Sequence, residues 1–67
     1  MGTYFEIVLK NTKTEETKLI ETWTLEGYYE AWNTMVERAI FEFKKLWKPT
    51  DDNRYWIIES ITDVTRR

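Results

Sequence analysis

Eleven apolar side chains recur at helical spacing between Leu25 and Trp47: Leu25, Tyr28, Tyr29, Trp32, Met35, Val36, Ala39, Ile40, Phe43, Leu46 and Trp47. A stripe of this length and period marks one amphipathic helix. It takes up a third of a 67-residue chain, so this helix organises whatever the other residues form. A chain of this size makes a single domain, residues 1–67, and hides only about 60% of the surface its unfolded form exposes. Its eleven aromatic rings, four of them Trp, offset the small size, because each can bury roughly 150–250 Å².

The flanking segments follow a different period. From Thr3 to Lys10 the side chains alternate, with Phe5, Ile7 and Leu9 on one face and Tyr4, Glu6, Val8 and Lys10 on the other, which predicts a strand. The polar run from Asn11 to Thr17 fits a hairpin loop longer than a tight glycine turn, and Lys18 to Trp23 reads as the antiparallel partner strand. Thr24 is placed to cap a helix beginning at Leu25, with Trp23 and Tyr28 forming a hydrophobic staple. Close packing is the expected reason for Gly27 in the first turn, and Pro49 stops the helix at Lys48. Thr50 to Asn53 then forms a turn and Tyr55 to Val64 a third strand, with a bulge near Glu59-Ser60 where the alternation breaks.

The fold class predicted is therefore α+β, in the order β-β-α-β. A helix crossing over from the second strand delivers the third to the free edge of the first, giving an antiparallel sheet of order 2-1-3 with the helix packed on one face. The other face, with Tyr4, Val8, Ile20 and part of the third strand, is left to solvent, a second copy or a partner.

The composition excludes much chemistry. There is no His and no Cys, so the usual neutral-pH proton shuttle, thiolate nucleophile and thiolate metal ligand are missing. The only glycines are Gly2 and Gly27, too few for a phosphate-cradling loop. The pairs Glu15-Glu16 and Asp51-Asp52 fall in polar loops, and Asp51-Asp52-Asn53 lacks the spacing of a calcium loop. The expectation is a protein that is not an enzyme, needs no cofactor and binds no metal. No apolar run approaches the ~20 residues of a membrane-spanning helix, so a soluble, cytoplasmic protein without a membrane partner is expected.

Candidate binding residues come from charge and from what the stripe leaves out. The formal net charge of −2 is unevenly spread: residues 1–43 sum to −4 and residues 44–67 to +2. Glu21, Glu26, Glu30 and Glu37, with Glu6 if the strands bring it near, form an acidic set able to steer toward a basic groove, as a DNA mimic does. Phe41 falls outside the stripe, among charged residues, and is an exposed apolar candidate for partner contact. The alternative is single-stranded nucleic-acid binding through Lys44, Lys45, Lys48, Arg54, Arg66 and Arg67, interleaved with Trp47, Tyr55 and Trp56. The negative net charge weighs against it. A homodimer through the uncovered sheet face is a further reading.

An aromatic first strand (Tyr4-Phe5-Glu6-Ile7-Val8), a polar hairpin, a Thr24-Leu25-Glu26 helix start and a final Tyr55-Trp56-Ile57-Ile58 strand together resemble small phage-encoded inhibitors of host proteins, such as those that block host RNA polymerase. The helix and hairpin loop are longer here, so no residue role carries over. What the resemblance implies is a protein-binding inhibitor in the host cytoplasm that occludes a surface on a host protein.

Overall fold

A computed structural model describes residues 2–65, with Asp51 described by its backbone alone. Its elements are β1 (Thr3–Asn11), β2 (Thr17–Thr24), α1 (Tyr28–Leu46), a 3₁₀ turn η1 (Asp51–Tyr55) and β3 (Trp56–Asp63). The three strands form one antiparallel sheet in the order β2-β1-β3, and α1 packs on β3 and β1. The architecture is the α+β layout that the alternating and helical periods predict.

Strand β1 is central and carries the core. Phe5, Ile7 and Leu9 are buried beneath α1, and Asn11 at the same parity is also buried. Between Val8 and Leu9 the register against β3 shifts, from Val8 opposite Ser60 to Leu9 opposite Ile58, so Glu59 is the extra residue of a bulge. That one-residue insertion turns Ile58 and Ile61 to the same core, as the broken alternation predicts. Ile20 lies directly across from Ile7 and joins this core, so it does not belong to the uncovered face where the sequence placed it.

The helix differs from expectation at its start. It begins at Tyr28, and its N-cap is Gly27, without a side-chain cap. Thr24 is the last residue of β2 and uses its hydroxyl locally: Oγ1 accepts the Glu26 amide and donates to the Glu26 carboxylate, each at 3.2 Å. The Thr34 hydroxyl donates to the same carboxylate oxygen at 2.6 Å, tying the β2–α1 connection to the helix. The staple fails with the cap, because Trp23 remains in the strand and Leu25 is exposed. Nothing packs closely on Gly27 either. A Cβ there would meet only the flexible Glu30 carboxylate, 3.3 Å away.

The stripe is wider than the surface that covers it. Ala31, Met35 and Ala39 are fully buried, and Trp32, Phe43 and Leu46 are half-buried, with Phe5 meeting Trp32 edge to face at 4.8 Å. Tyr28, Tyr29, Val36, Ile40 and Trp47 are exposed. The buried arc is shifted to one side of the stripe and includes Glu42. Its carboxylate lies 3.2 Å from Arg38 Nε and 3.4 Å from Lys45 Nζ, so the helix's own cations compensate its burial. The helix ends at Leu46, with Trp47 already extended ahead of Pro49, and η1 replaces the simple turn expected over Thr50–Asn53.

Two local tests follow from the backbone. Gly27 has φ −65° and ψ 168°, which any residue adopts, so Gly27→Ser should supply the missing cap and raise stability by about 0.5–1 kcal/mol in urea titration. Glu15 has φ 64°, so Glu15→Gly should stabilise by about 0.5–1 kcal/mol. For Glu42, removing both cations with Arg38→Ala and Lys45→Ala should cost about 1–3 kcal/mol, because a buried carboxylate then lacks its partners. Adding Glu42→Leu should recover most of that loss; a further loss instead would mean that the carboxylate stabilises the fold without the two cations.

Candidate functional site

Alternation along β1 sends Tyr4, Glu6, Val8 and Lys10 to the face opposite α1. Their cross-strand neighbours on β2 are Trp23, Glu21, Leu19 and Thr17, while Thr62, Ser60 and Ile57 of β3 lie beside Glu6, Val8 and Lys10. This face carries large apolar side chains in the open: Tyr4, Leu19, Trp23 and Ile57 are each about half exposed. No described element covers them.

At the end of the face away from the hairpin loop, Tyr4, Phe5, Glu6, Glu21, Thr22, Trp23 and Val64 line an open recess of about 390 Å³. The Tyr4 and Trp23 rings stand 6.3 Å apart with their planes tilted by 31°. Gly2 sets the position of the indole: a Cβ there would lie 3.1 Å from the Trp23 ring and 3.0 Å from the Thr24 carbonyl oxygen. Beyond Asp63 the chain continues beside β1, with the Val64 amide donating to the Tyr4 carbonyl at 2.9 Å and the Tyr4 amide to Thr65 Oγ1 at 3.0 Å. Glu6 and Glu21 are direct cross-strand neighbours next to the rings. The exposed Glu21 carboxylate beside two half-exposed aromatic rings makes an arrangement suited to an organic cation.

The structure divides the acidic set. Glu21 belongs to the open sheet face, whereas Glu30 and Glu37 lie on the exposed side of α1, in the other layer, and Glu26 is held by Thr24 and Thr34 at the start of the helix. Phe41 is exposed, as its place outside the stripe predicts, and Lys45 Nζ sits 4.4 Å from its ring centre.

The basic set is divided too. Lys44 and Lys48 are exposed at the end of α1, whereas Lys45 is engaged by Glu42 and Phe41. Arg54 lies 4.9 Å from the Tyr55 ring centre and donates from Nη2 to the Tyr55 hydroxyl at 2.8 Å. Trp56, one of the rings offered for base stacking, is buried beneath the helix. Arg66 and Arg67 lie outside the described residues.

The hairpin end is built for structure. The buried Asn11 donates from Nδ2 to the Asp52 carbonyl at 2.7 Å, and its Oδ1 accepts the Lys13 and Thr14 amides at 2.9 and 3.0 Å. The Asp52 carboxylate, hydrogen-bonded to Lys13 Nζ at 2.8 Å, raises that ammonium above the ordinary lysine range. Among the described residues no group of three or more carboxylates is placed to hold a metal ion, and no helix is long and apolar enough to cross a membrane.

Sequence reasoning missed Gly2, Asn11 and Glu42. Asn11 continues the parity of Phe5, Ile7 and Leu9, and Glu42 stands four residues after Arg38 and three before Lys45, so both carried a legible signal. Gly2 carried none, because its constraint comes from a strand distant in sequence. No protein-family model, curated protein or solved structure matches the chain.

Proposed function

We propose that the chain is a non-enzymatic protein-binding module whose open sheet face seats a partner segment carrying an arginine or lysine among apolar side chains. The observation that carries this reading is the cradle of Tyr4, Trp23 and the exposed Glu21 carboxylate, continued along the same face by Val8, Leu19 and Ile57. Aromatic faces and carboxylates together attract a cationic side chain, and the aliphatic row gives its apolar neighbours a dry contact. Strand pairing also orders these side chains before any partner arrives, which lowers the entropy cost of binding.

The phage-inhibitor resemblance implies the same class of action: blockade of a host protein by occupying its surface, with no reaction catalysed. DNA mimicry loses support, because Glu21 is separated from the helical acids and they do not form one continuous rank. Single-stranded nucleic-acid binding loses Trp56 to the core.

The test uses isotope-labelled protein titrated with an extended peptide that carries one arginine between apolar residues. Resonances of Tyr4, Glu6, Glu21 and Trp23 should shift, and Trp23→Ala or Glu21→Lys should weaken the interaction by roughly tenfold or more. A peptide with citrulline in place of arginine should bind much less. Shifts confined to α1, or salt-sensitive retention of labelled oligonucleotides with no response to the peptide, would overturn the reading.

A further inference from the structure

Beside its buried arc, α1 together with its C-cap residue Trp47, whose amide still donates to the Phe43 carbonyl, leaves a second apolar line in the open. Tyr29, Val36, Ile40 and Trp47 are 81%, 44%, 41% and 40% exposed. At helical spacing the four project within an arc of about 40°. They form a ridge, not a scatter of single exposed residues.

The spacing along this ridge is seven, four and seven residues, so it reads the same from either end about Arg38. A two-fold axis across the helix at the level of Arg38 sets Val36 against Ile40 of a second copy and Tyr29 against its Trp47. Such self-complementarity is what an isologous two-fold contact requires, and few arbitrary patches possess it. Large rings at the ends and β-branched side chains at the centre pair like with like.

The charges obey the same symmetry. On the exposed flank of the ridge, Glu30 lies in the first turn of the helix and Glu37 at its middle, while Lys44 and Lys48 lie at and just beyond its end. Antiparallel pairing lays Glu30 of one helix beside Lys44 and Lys48 of the other and opposes the helix dipoles, with Glu37 left near the axis. Parallel pairing would set acid beside acid and base beside base. Direction is therefore specified by charge, and registration by the ridge.

We propose that α1 associates with the same helix of a second copy, antiparallel and across a two-fold axis, through Tyr29, Val36, Ile40 and Trp47. The ridge offers roughly 400 Å² per copy by the areas typical of such side chains, against about 800 Å² per partner in a standard stable interface. The pair therefore forms and separates with concentration. The contact uses the helix layer and leaves the open sheet face free, so it stands or falls independently of the function proposed above.

Sedimentation equilibrium at rising concentration tests this. The mass should climb from monomer to dimer and no further, and Val36→Ser with Ile40→Ser should weaken association by roughly tenfold or more, with the circular dichroism unchanged. A charge exchange adds a readout that a lost fold cannot imitate. One chain carries Glu30→Lys and Glu37→Lys, the other Lys44→Glu and Lys48→Glu; each alone should stay monomeric, and their mixture should form a mixed dimer. A monomeric mass up to millimolar concentration, folded exchange variants that fail to pair when mixed, or association abolished by Trp23→Ala but untouched by the ridge substitutions would overturn the proposal.

Discussion

Contact between Phe5, Ile7 and Leu9 of β1 and Ala31, Met35 and Ala39 of α1 is the interaction on which the molecule depends. A sheet of three strands spans only about 10 Å between its outer strands, near the width of one helix. A single helix can therefore cover one face of such a sheet, and the sheet can cover only one arc of the helix. The alanines let the backbones approach, while Trp56 closes one end of the core and the Phe5–Trp32 contact the other. The two unsatisfied surfaces, the outer sheet face and the helix ridge, both follow from that geometry.

Polar side chains at the margins keep this small core in register. Asn11 and the Lys13–Asp52 pair fasten the hairpin loop to η1, Glu26 fastens the end of β2 to α1, and Glu42 is held by Arg38 and Lys45 at the boundary of the helical core. The first three join separate segments of the chain, whereas Glu42 is held within α1 itself. In a chain without disulfides or a large core, such local bonds set how sharply the fold is defined.

Much of the architecture was legible because periodicity is a local property. Alternation from Thr3 to Lys10 located β1 and its buried face, the broken alternation after Ile58 located the bulge, and the helical stripe located α1. The helix start was misplaced because Thr24 can cap a helix or end a strand, and only pairing with Thr3 decided between them. The candidate site was legible residue by residue but not as an assembly. Tyr4, Glu6, Glu21 and Trp23 come together only when β1 and β2 pair, and Gly2 matters only because Trp23 then lies over it.

By itself the sequence determined which segments are strands and helix, which face of β1 is apolar, and which charges precede or follow the centre of α1, since each depends on neighbours a few residues away. The tertiary structure decided how far the helix rolled on the sheet. That roll buried Ala31 and Glu42 and left Tyr29, Val36, Ile40 and Trp47 in the open, while the layering set Glu21 on the far sheet face from Glu30 and Glu37. The reason is steric: a stripe wider than its sheet settles where the smallest side chains allow the closest approach, and that position follows from the shapes of both layers together.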